Sequence, residues 1–300
     1  MARKIATFFI GLSLLFLAVS QKISLLASST NQEKIEDKPE VISLLGKKLY
    51  ATPAQGEALL ELKKELEKAR KDFEADPQNP ELIIMFGRRL AYLWRYHEAI
   101  DVFTKGIEKN PNYAMLYRHR GHRYISIREF EKAVADLKKA ADLDRKNFDI
   151  WYHLGLAFYL KGDFQKALPP YEECLKCAGD DDSKIAISNW LYITCRRLGK
   201  KDEAARVLEG ITEGMKVVEN QSYYNLLFFY KAMKKEEELS AQAKTSDLDA
   251  STLGYGVGCW HLYNDHEQKA KEYFERVVEG KYWPAFGFIA AEAELARIKK

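Results

Sequence analysis

Residues 148–181 read FDIWYHLGLAFYLKGDFQKALPPYEECLKCAGDD, and the pattern of this stretch recurs along the chain. When the sequence is divided into frames of 34 residues that begin at Pro80, Ala114 and Phe148, small residues return at two fixed places. The eighth and twentieth places of these frames hold Gly87 and Ala99, Gly121 and Ala133, and Gly155 and Ala167. A side chain larger than a methyl group there would hold two helices apart. The pattern therefore predicts units of two closely packed antiparallel helices.

The third frame carries the fullest set of recurring residues. It resembles the repeat pattern of the tetratricopeptide family, which has a tryptophan and a Leu-Gly pair in the first helix and an alanine in the second. The matching residues are Trp151, Tyr152, Leu154, Gly155, Phe158, Ala167 and Tyr171. The resemblance implies an all-α, right-handed solenoid in which each unit buries its apolar face against its neighbours. An ordinary helical bundle with chance periodicity is the alternative interpretation.

The frames predict where the array begins and ends. The predicted array covers 80–281, with regular repeats near 80–113, 114–147, 148–181 and 185–218, an irregular unit at 219–250 and a last unit at 251–281. An apolar stripe at helical spacing predicts an N-terminal capping helix within 54–79. A C-terminal capping helix is predicted within 282–300. Residues 21–53 are rich in polar residues and are predicted to be a flexible tether, with at most one short helix near 41–49.

The N-terminus predicts export. Arg3 and Lys4 precede an apolar run from Ile5 to Val19, and small residues before position 21 suit signal peptidase, so residues 1–20 are interpreted as a signal peptide. The protein is then periplasmic or secreted. An uncleaved membrane anchor over residues 5–27 is the alternative, and it is the only membrane contact that the sequence predicts. The runs at 87–92, 118–124 and 290–295 also resemble an uncharacterised group of bacterial exported tetratricopeptide proteins.

Composition narrows the classes of partner. The 300 residues include 47 Lys and Arg against 44 Asp and Glu, a formal net charge of +3. Nucleic-acid binding needs a strongly basic face, so this near-neutral balance argues against a nucleic-acid partner. No His-x-x-x-His pair, glycine-rich phosphate loop or nucleophile elbow occurs, so no cofactor, metal ligand or catalytic residue is predicted. The expected partner is a protein or peptide.

The tetratricopeptide resemblance implies which residues face the concave groove. Fixed positions of the first helix in each repeat point inwards in that family, and they fall here on Arg88, Arg118, His122, Tyr152, Tyr159, Asn189, Arg196 and Tyr255. Arginine forks suit carboxylates, so the groove is expected to favour a partner with acidic groups. A solvated helix face with salt bridges to Glu129 or Asp136 is the alternative for the arginines. The two-carboxylate clamp of chaperone-binding relatives is not reproduced, because His153, Ala186 and Trp190 stand at its positions.

These features predict a non-catalytic adaptor that holds a peptide segment or partner protein in the concave groove. The second hypothesis is an enzyme or a cell-envelope carbohydrate-binding protein that uses the His and Arg cluster of residues 118–123. His122 is expected to add binding strength as it protonates near its usual pKa of about 6.5.

The cysteines admit three interpretations. Cys174 and Cys177 lie inside a predicted helix, so buried thiols are expected there and at Cys195 and Cys259. A Cys174–Cys195 disulfide is the alternative for an exported protein. A zinc site is the third, although a second ligand pair is missing.

Overall fold

The computed structural model describes residues 38–52 and 55–298, and a compact unit begins at Pro39. The predicted signal peptide (1–20) and the anchor over residues 5–27 lie outside the described residues, as do the tether up to residue 37 and residues 299 and 300. Within the described part of the chain, no helix is both long and apolar enough to cross a membrane.

Helices dominate the described residues, which confirms the all-α prediction. The helices are α1 Gly56–Ala75, α2 Pro80–Tyr92, α3 Tyr96–Lys109, α4 Ala114–Ser126, α5 Phe130–Leu143, α6 Phe148–Lys161, α7 Phe164–Lys176, α8 Asp181–Arg197, α9 Lys201–Glu209, α10 Gln221–Tyr230, α11 Glu236–Gln242, α12 Asp247–Leu262, α13 Glu267–Glu279 and α14 Phe286–Ile298. Successive helices from α1 to α9 pack on one another, which is the arrangement of a solenoid, and α10 packs on α8.

The small residues of the repeat frame act as the sequence predicts. A Cβ atom added to Gly87 would lie 2.4 Å from the Phe103 ring, and one added to Gly155 would lie 2.4 Å from the Tyr171 ring. Ala167 is fully buried. In these two repeats, the helix pair therefore closes over one large side chain that fills the space left by the glycine.

Helix starts and turns follow local rules. Asn79 accepts a hydrogen bond from the Glu81 amide at 3.0 Å and precedes Pro80 at the first helical position. Asp180 caps α8 through the Ser183 amide at 2.7 Å. The neighbouring Asp182 accepts bonds from the amides of the loop before α10, at 2.8 Å from Val218. The acidic run at 180–182 thus fixes a helix start and a loop.

The turn inside each repeat has one left-handed residue at the fifteenth place of the frame. Glycine fills this place in the third and fourth repeats, at Gly162 and Gly199, whose φ angles are 88° and 72°. Trp94, Arg128 and Asp265 stand there in the first, second and last repeats, with φ of 59°, 67° and 64°. A left-handed backbone costs a non-glycine residue about 1–2 kcal/mol. Other contacts in the fold must offset this cost.

The segment before α1 corrects the tether prediction. Val41–Ile42 and Lys48–Leu49 form a two-stranded antiparallel hairpin, not a helix or a flexible chain. Gly46, at φ 82°, makes the turn, and Val41 is only 4% exposed. The Glu40 carboxylate accepts the His97 amide at 2.8 Å. Burial of Val41 and this bond to the start of α3 hold the hairpin in place.

The C-terminal helix does more than cover the end of the stack. It packs on α12 and α13 and also reaches α6 in the third repeat. A Cβ atom on Gly287 would lie 2.3 Å from the Ser251 carbonyl oxygen, so α14 and α12 touch at backbone distance. Just before α14, Trp283 packs edge-to-face on Trp94 and Tyr96 of the first repeat. The solenoid therefore curls until its last segment meets its first repeat.

Candidate interaction site

The inner faces of the middle repeats are closed, which corrects the prediction of an open groove there. The predicted groove residues Tyr152, Tyr159, Asn189 and Tyr255 are 7%, 0%, 2% and 2% exposed. Tyr255 on α12 donates a hydrogen bond to Tyr159 on α6, oxygen to oxygen at 2.7 Å, and Trp190 donates to Tyr152 at 2.7 Å. The curvature brings α6 and α8 against α12, so these side chains form core contacts and are not open to a partner.

Arg196 is also engaged inside the molecule. Its guanidinium donates to the Tyr263 carbonyl oxygen at 3.2 Å and to the Asn264 amide oxygen at 3.1 Å, at the end of α12. The guanidinium carbon lies 4.4 Å from the centroid of the Tyr263 ring. Arg196 therefore ties α8 to α12.

Two buried acids hold α14 in place. Glu292 is 1% exposed and accepts a bond at 2.8 Å from Arg128, the left-handed residue of the second repeat. Glu294 is 2% exposed and lies 3.3 Å from Arg197 at the end of α8. Arg128 also donates to the Trp283 carbonyl oxygen at 3.1 Å. The sequence analysis did not predict these pairs. The sign available in the sequence was Arg128, an arginine at a turn position where two other repeats have glycine.

The inner wall of the first two repeats contains a cleft that remains accessible. The cleft has a volume of about 290 Å³ and lies between α2, α4 and the segment that leads into α14. We call it the N-terminal cleft; its lining includes Tyr92, Tyr96, His122, Arg123, Leu248 and Phe286. Tyr92 and Leu248 are 43% and 50% exposed, so the cleft has an apolar rim. His122, one of the predicted residues, lies in its wall.

The wall of the N-terminal cleft carries positive charge. Arg123 lies with its guanidinium carbon 5.3 Å from the centroid of the Tyr96 ring, and no carboxylate of the described residues forms an ion pair with it. The pKa of Arg123 is lowered to about 10, mainly by burial and also by the nearby charges of Arg118 and Arg88. The cleft therefore concentrates like charges.

Arg88 and Arg118, two of the predicted groove residues, lie near enough to Arg123 for their charges to lower its pKa. Arg88 is exposed and donates to the Tyr92 hydroxyl at 2.9 Å. Arg118 pairs with Asp149 at 3.1 Å, and the Asp149 side chain is 50% exposed. The alternative of salt bridges to Glu129 or Asp136 holds for a different arginine, because Arg120 binds Asp136 at 2.7 Å.

His122 and its buried neighbours His119 and His153 are uncharged at neutral pH, which corrects the expectation for His122. Burial holds the pKa of His122 well below its usual value, and Arg123 lowers it further. The pKa values of His119 and His153 are lowered to about 2 and about 3, first by burial and then by Arg118. The arginines, not the histidines, therefore supply the positive charge.

The cysteines are free thiols. Cys174, Cys195 and Cys259 are buried and Cys177 is partly exposed, and the structure shows no bond between Cys174 and Cys195. Burial raises the pKa of Cys195 to about 11 and that of Cys259 to about 12. These thiols are therefore protonated at neutral pH. In the described part of the chain, no three His, Cys, Asp or Glu residues come together as metal ligands.

The stacked helix pairs place the chain among the α-solenoid repeat proteins. Residues 121–162 match the family model described as TPR repeat, and residues 148–181 match the one described as Tetratricopeptide repeat. Residues 121–181 therefore carry tetratricopeptide repeats, which confirms the resemblance seen in the sequence.

Relatives in other organisms share part of the array. The chain is 31% identical over 101 residues to human Tetratricopeptide repeat protein 13, which is 34% of this chain and 12% of that protein. It is 33% identical over 86 residues to Small glutamine-rich tetratricopeptide repeat-containing protein 2 of Saccharomyces cerevisiae, which is 29% of this chain and 25% of that protein. The chain thus spans a quarter or less of the length of these relatives.

Solved structures with a similar arrangement include MamA and YrrB. The likeness to MamA has a TM-score of 0.45 at 20% identity and covers 59% of this chain and 94% of that one. The likeness to YrrB, described as a TPR protein with an unusual peptide-binding site, has a TM-score of 0.46 at 17% identity and covers 71% of this chain and 92% of that one.

Proposed function

We propose that this chain is a non-catalytic adaptor that binds an acidic segment of a partner protein in the N-terminal cleft. Tetratricopeptide proteins generally mediate interactions between proteins. The observation that carries the proposal is Arg123, a cleft-lining arginine with no carboxylate ion pair among the described residues. An acidic partner would supply the missing counter-charge.

The surroundings of Arg123 favour a carboxylate over a neutral ligand. Arg88 and Arg118 lie near enough to lower its pKa, so an anion in the cleft relieves repulsion among three cations. A carboxylate that receives two parallel bonds from one guanidinium is bound more strongly than a neutral carbonyl group.

The exposed side chains at and beside the N-terminal cleft favour a peptide segment over a small ion as the ligand. Met85, Arg88 and Tyr92 lie on one face of α2 at helical spacing, and Met85 and Tyr92 are 37% and 43% exposed. Leu248 faces the same cleft. A peptide can cover these apolar side chains while its acidic groups reach Arg123. The buried middle of the superhelix offers no comparable space, since Tyr159 and Tyr255 bond to each other across it.

The test selects peptides from an unbiased twelve-residue library on the purified chain and measures their affinities by fluorescence anisotropy. We expect acidic peptides to be enriched, and Arg123→Gln to weaken them by about tenfold or more, because a charge-assisted hydrogen bond is worth about 1.5–3 kcal/mol. Arg145→Gln is the matched control, since Arg145 is exposed and lies outside the cleft.

Added salt should weaken the wild-type complex more than the Arg123→Gln complex, because ions screen the attraction that the variant has lost. Arg88→Gln, at an exposed position, gives a second variant that leaves the core intact. The proposal fails if the selected peptides are not acidic, or if Arg123→Gln binds them as the wild type does while its circular dichroism is unchanged.

A further inference from the structure

One side chain of the C-terminal segment sits in the wall of the N-terminal cleft. Phe286 is the first residue of α14 and is only partly buried. Its ring centroid lies 5.3 Å from that of His122 and 5.8 Å from that of His153. The ring of Tyr152 follows at 6.4 Å. Two residues of the predicted partner-binding wall, His122 and Tyr152, therefore contact an aromatic ring of the chain itself.

The position of Phe286 differs from that of Phe288 and Trp283, the two aromatic residues nearest to it in the chain. Phe288 is 2% exposed and Trp283 is 3% exposed, so both belong to the core. Phe286 instead lines the N-terminal cleft together with Arg123. An aromatic ring and an unpaired guanidinium thus share one cavity wall.

We propose that Phe286 occupies an aromatic subsite for the partner, and that the partner segment presents an aromatic side chain beside its carboxylate. This inference rests on the proposed function and specifies the chemistry of the segment that the N-terminal cleft receives. The partner's ring replaces the ring of Phe286 against His122 and His153, and its carboxylate pairs with Arg123. Uncharged imidazole and phenol rings form a favourable surface for such a ring.

Exchange of the two rings leaves α14 in place. The helix is fixed beyond Phe286 by the contact of Gly287 with the Ser251 backbone and by the pairing of Glu292 with Arg128. Before Phe286, Trp283 donates its indole N–H to the Tyr50 carbonyl oxygen at 2.9 Å. The ring of Phe286 can therefore leave the subsite by a change of side-chain rotamer at one residue.

Phenylacetate tests the inference because it carries one aromatic ring and one carboxylate. We expect Phe286→Ala to bind phenylacetate about tenfold more tightly than the wild type, measured by ligand-observed NMR titration, because the vacated apolar subsite accepts the ring. Acetate, which has no ring, should bind both proteins equally. Adding Arg123→Gln to Phe286→Ala should remove most of the gain for phenylacetate and leave the binding of benzyl alcohol unchanged.

The results separate this inference from the proposed function. Equal affinity of wild type and Phe286→Ala for phenylacetate would overturn the aromatic subsite, while acidic peptides that still need Arg123 would leave the proposed function standing. Phe286→Val keeps part of the side chain and covers the case in which the alanine variant does not fold. If neither variant folds, the ring is required by the core and the inference is wrong.

Discussion

Arg128→Gly should destabilise the protein by about 2–4 kcal/mol, although it removes a strained residue. Arg128 has a φ of 67°, and its ion pair with Glu292 joins side chains that are 3% and 1% exposed. Loss of one partner of a buried pair costs about 3–5 kcal/mol because the other charge stays buried. Glycine recovers about 1 kcal/mol, since relief of left-handed strain exceeds the extra entropy that glycine gives the unfolded chain. The ion pair outweighs the strain.

Urea unfolding followed by circular dichroism at 222 nm measures the difference at neutral pH. Asp265→Gly is the matched control: Asp265 has a φ of 64° at the same place of its frame, is exposed and forms no ion pair in the described part of the chain. That variant should be as stable as the wild type or more stable by up to about 1 kcal/mol. The double variant Arg128→Gly/Glu292→Gln should regain part of the loss, because the buried charge is gone.

The reasoning is refuted if Arg128→Gly is as stable as the wild type, or if both glycine variants gain stability equally. Either result would mean that the pair of Arg128 with Glu292 does not stabilise the contact between the second repeat and α14.

Three further predictions concern the fold. Ala167→Leu should lower the free energy of unfolding by about 1–3 kcal/mol, because Ala167 is fully buried between packed helices; a thermal melt checks it, and an unchanged melting temperature would contradict the repeat frame. The pKa of His153 is lowered to about 3, so below pH 6.5 the unfolded chain binds a proton that the folded chain does not, and stability should fall as the pH drops. In urea titrations, His153→Asn should flatten this slope of stability against pH by up to about 1.4 kcal/mol per pH unit. Burial raises the pKa of Asp182, but hydrogen bonds from the amides of Val218 and Asn220 outweigh burial and lower the pKa. The contribution of Asp182 to stability is therefore present at neutral pH and lost in acid. Asp182→Ala should speed hydrogen exchange of the amides at 216–220 even at pH 7.

The sequence predicts the helix pairs because their packing is local. Gly87 meets Phe103 and Gly155 meets Tyr171 within single frames, so a fixed spacing is enough to reveal them. The left-handed turns also recur at one fixed place of the frame. A residue other than glycine at that place, as at Trp94 and Arg128, indicates a side chain whose contacts offset the backbone strain.

The closure of the superhelix could not be predicted, because it depends on curvature summed over several repeats. Tyr159 and Tyr255 bond although 96 residues separate them, and no local pattern encodes that distance. For the same reason, the sequence placed His122 on the inner wall but could not tell that Phe286 lies against it. The hairpin at 41–49 was missed because strands of two residues have no detectable alternation.

Contact between the last segment and the first repeat fixes the number of repeats that this protein can have. An open tetratricopeptide array can gain or lose a unit, because each unit touches only its neighbours. Here Trp283 must reach Trp94, and Glu292 must reach Arg128, from the far end of the chain. Insertion or deletion of one repeat would shift both partners by a whole unit and break the ring of contacts. Duplication of a single repeat, by which such arrays ordinarily change length, would therefore disrupt the contacts between the two ends of this array.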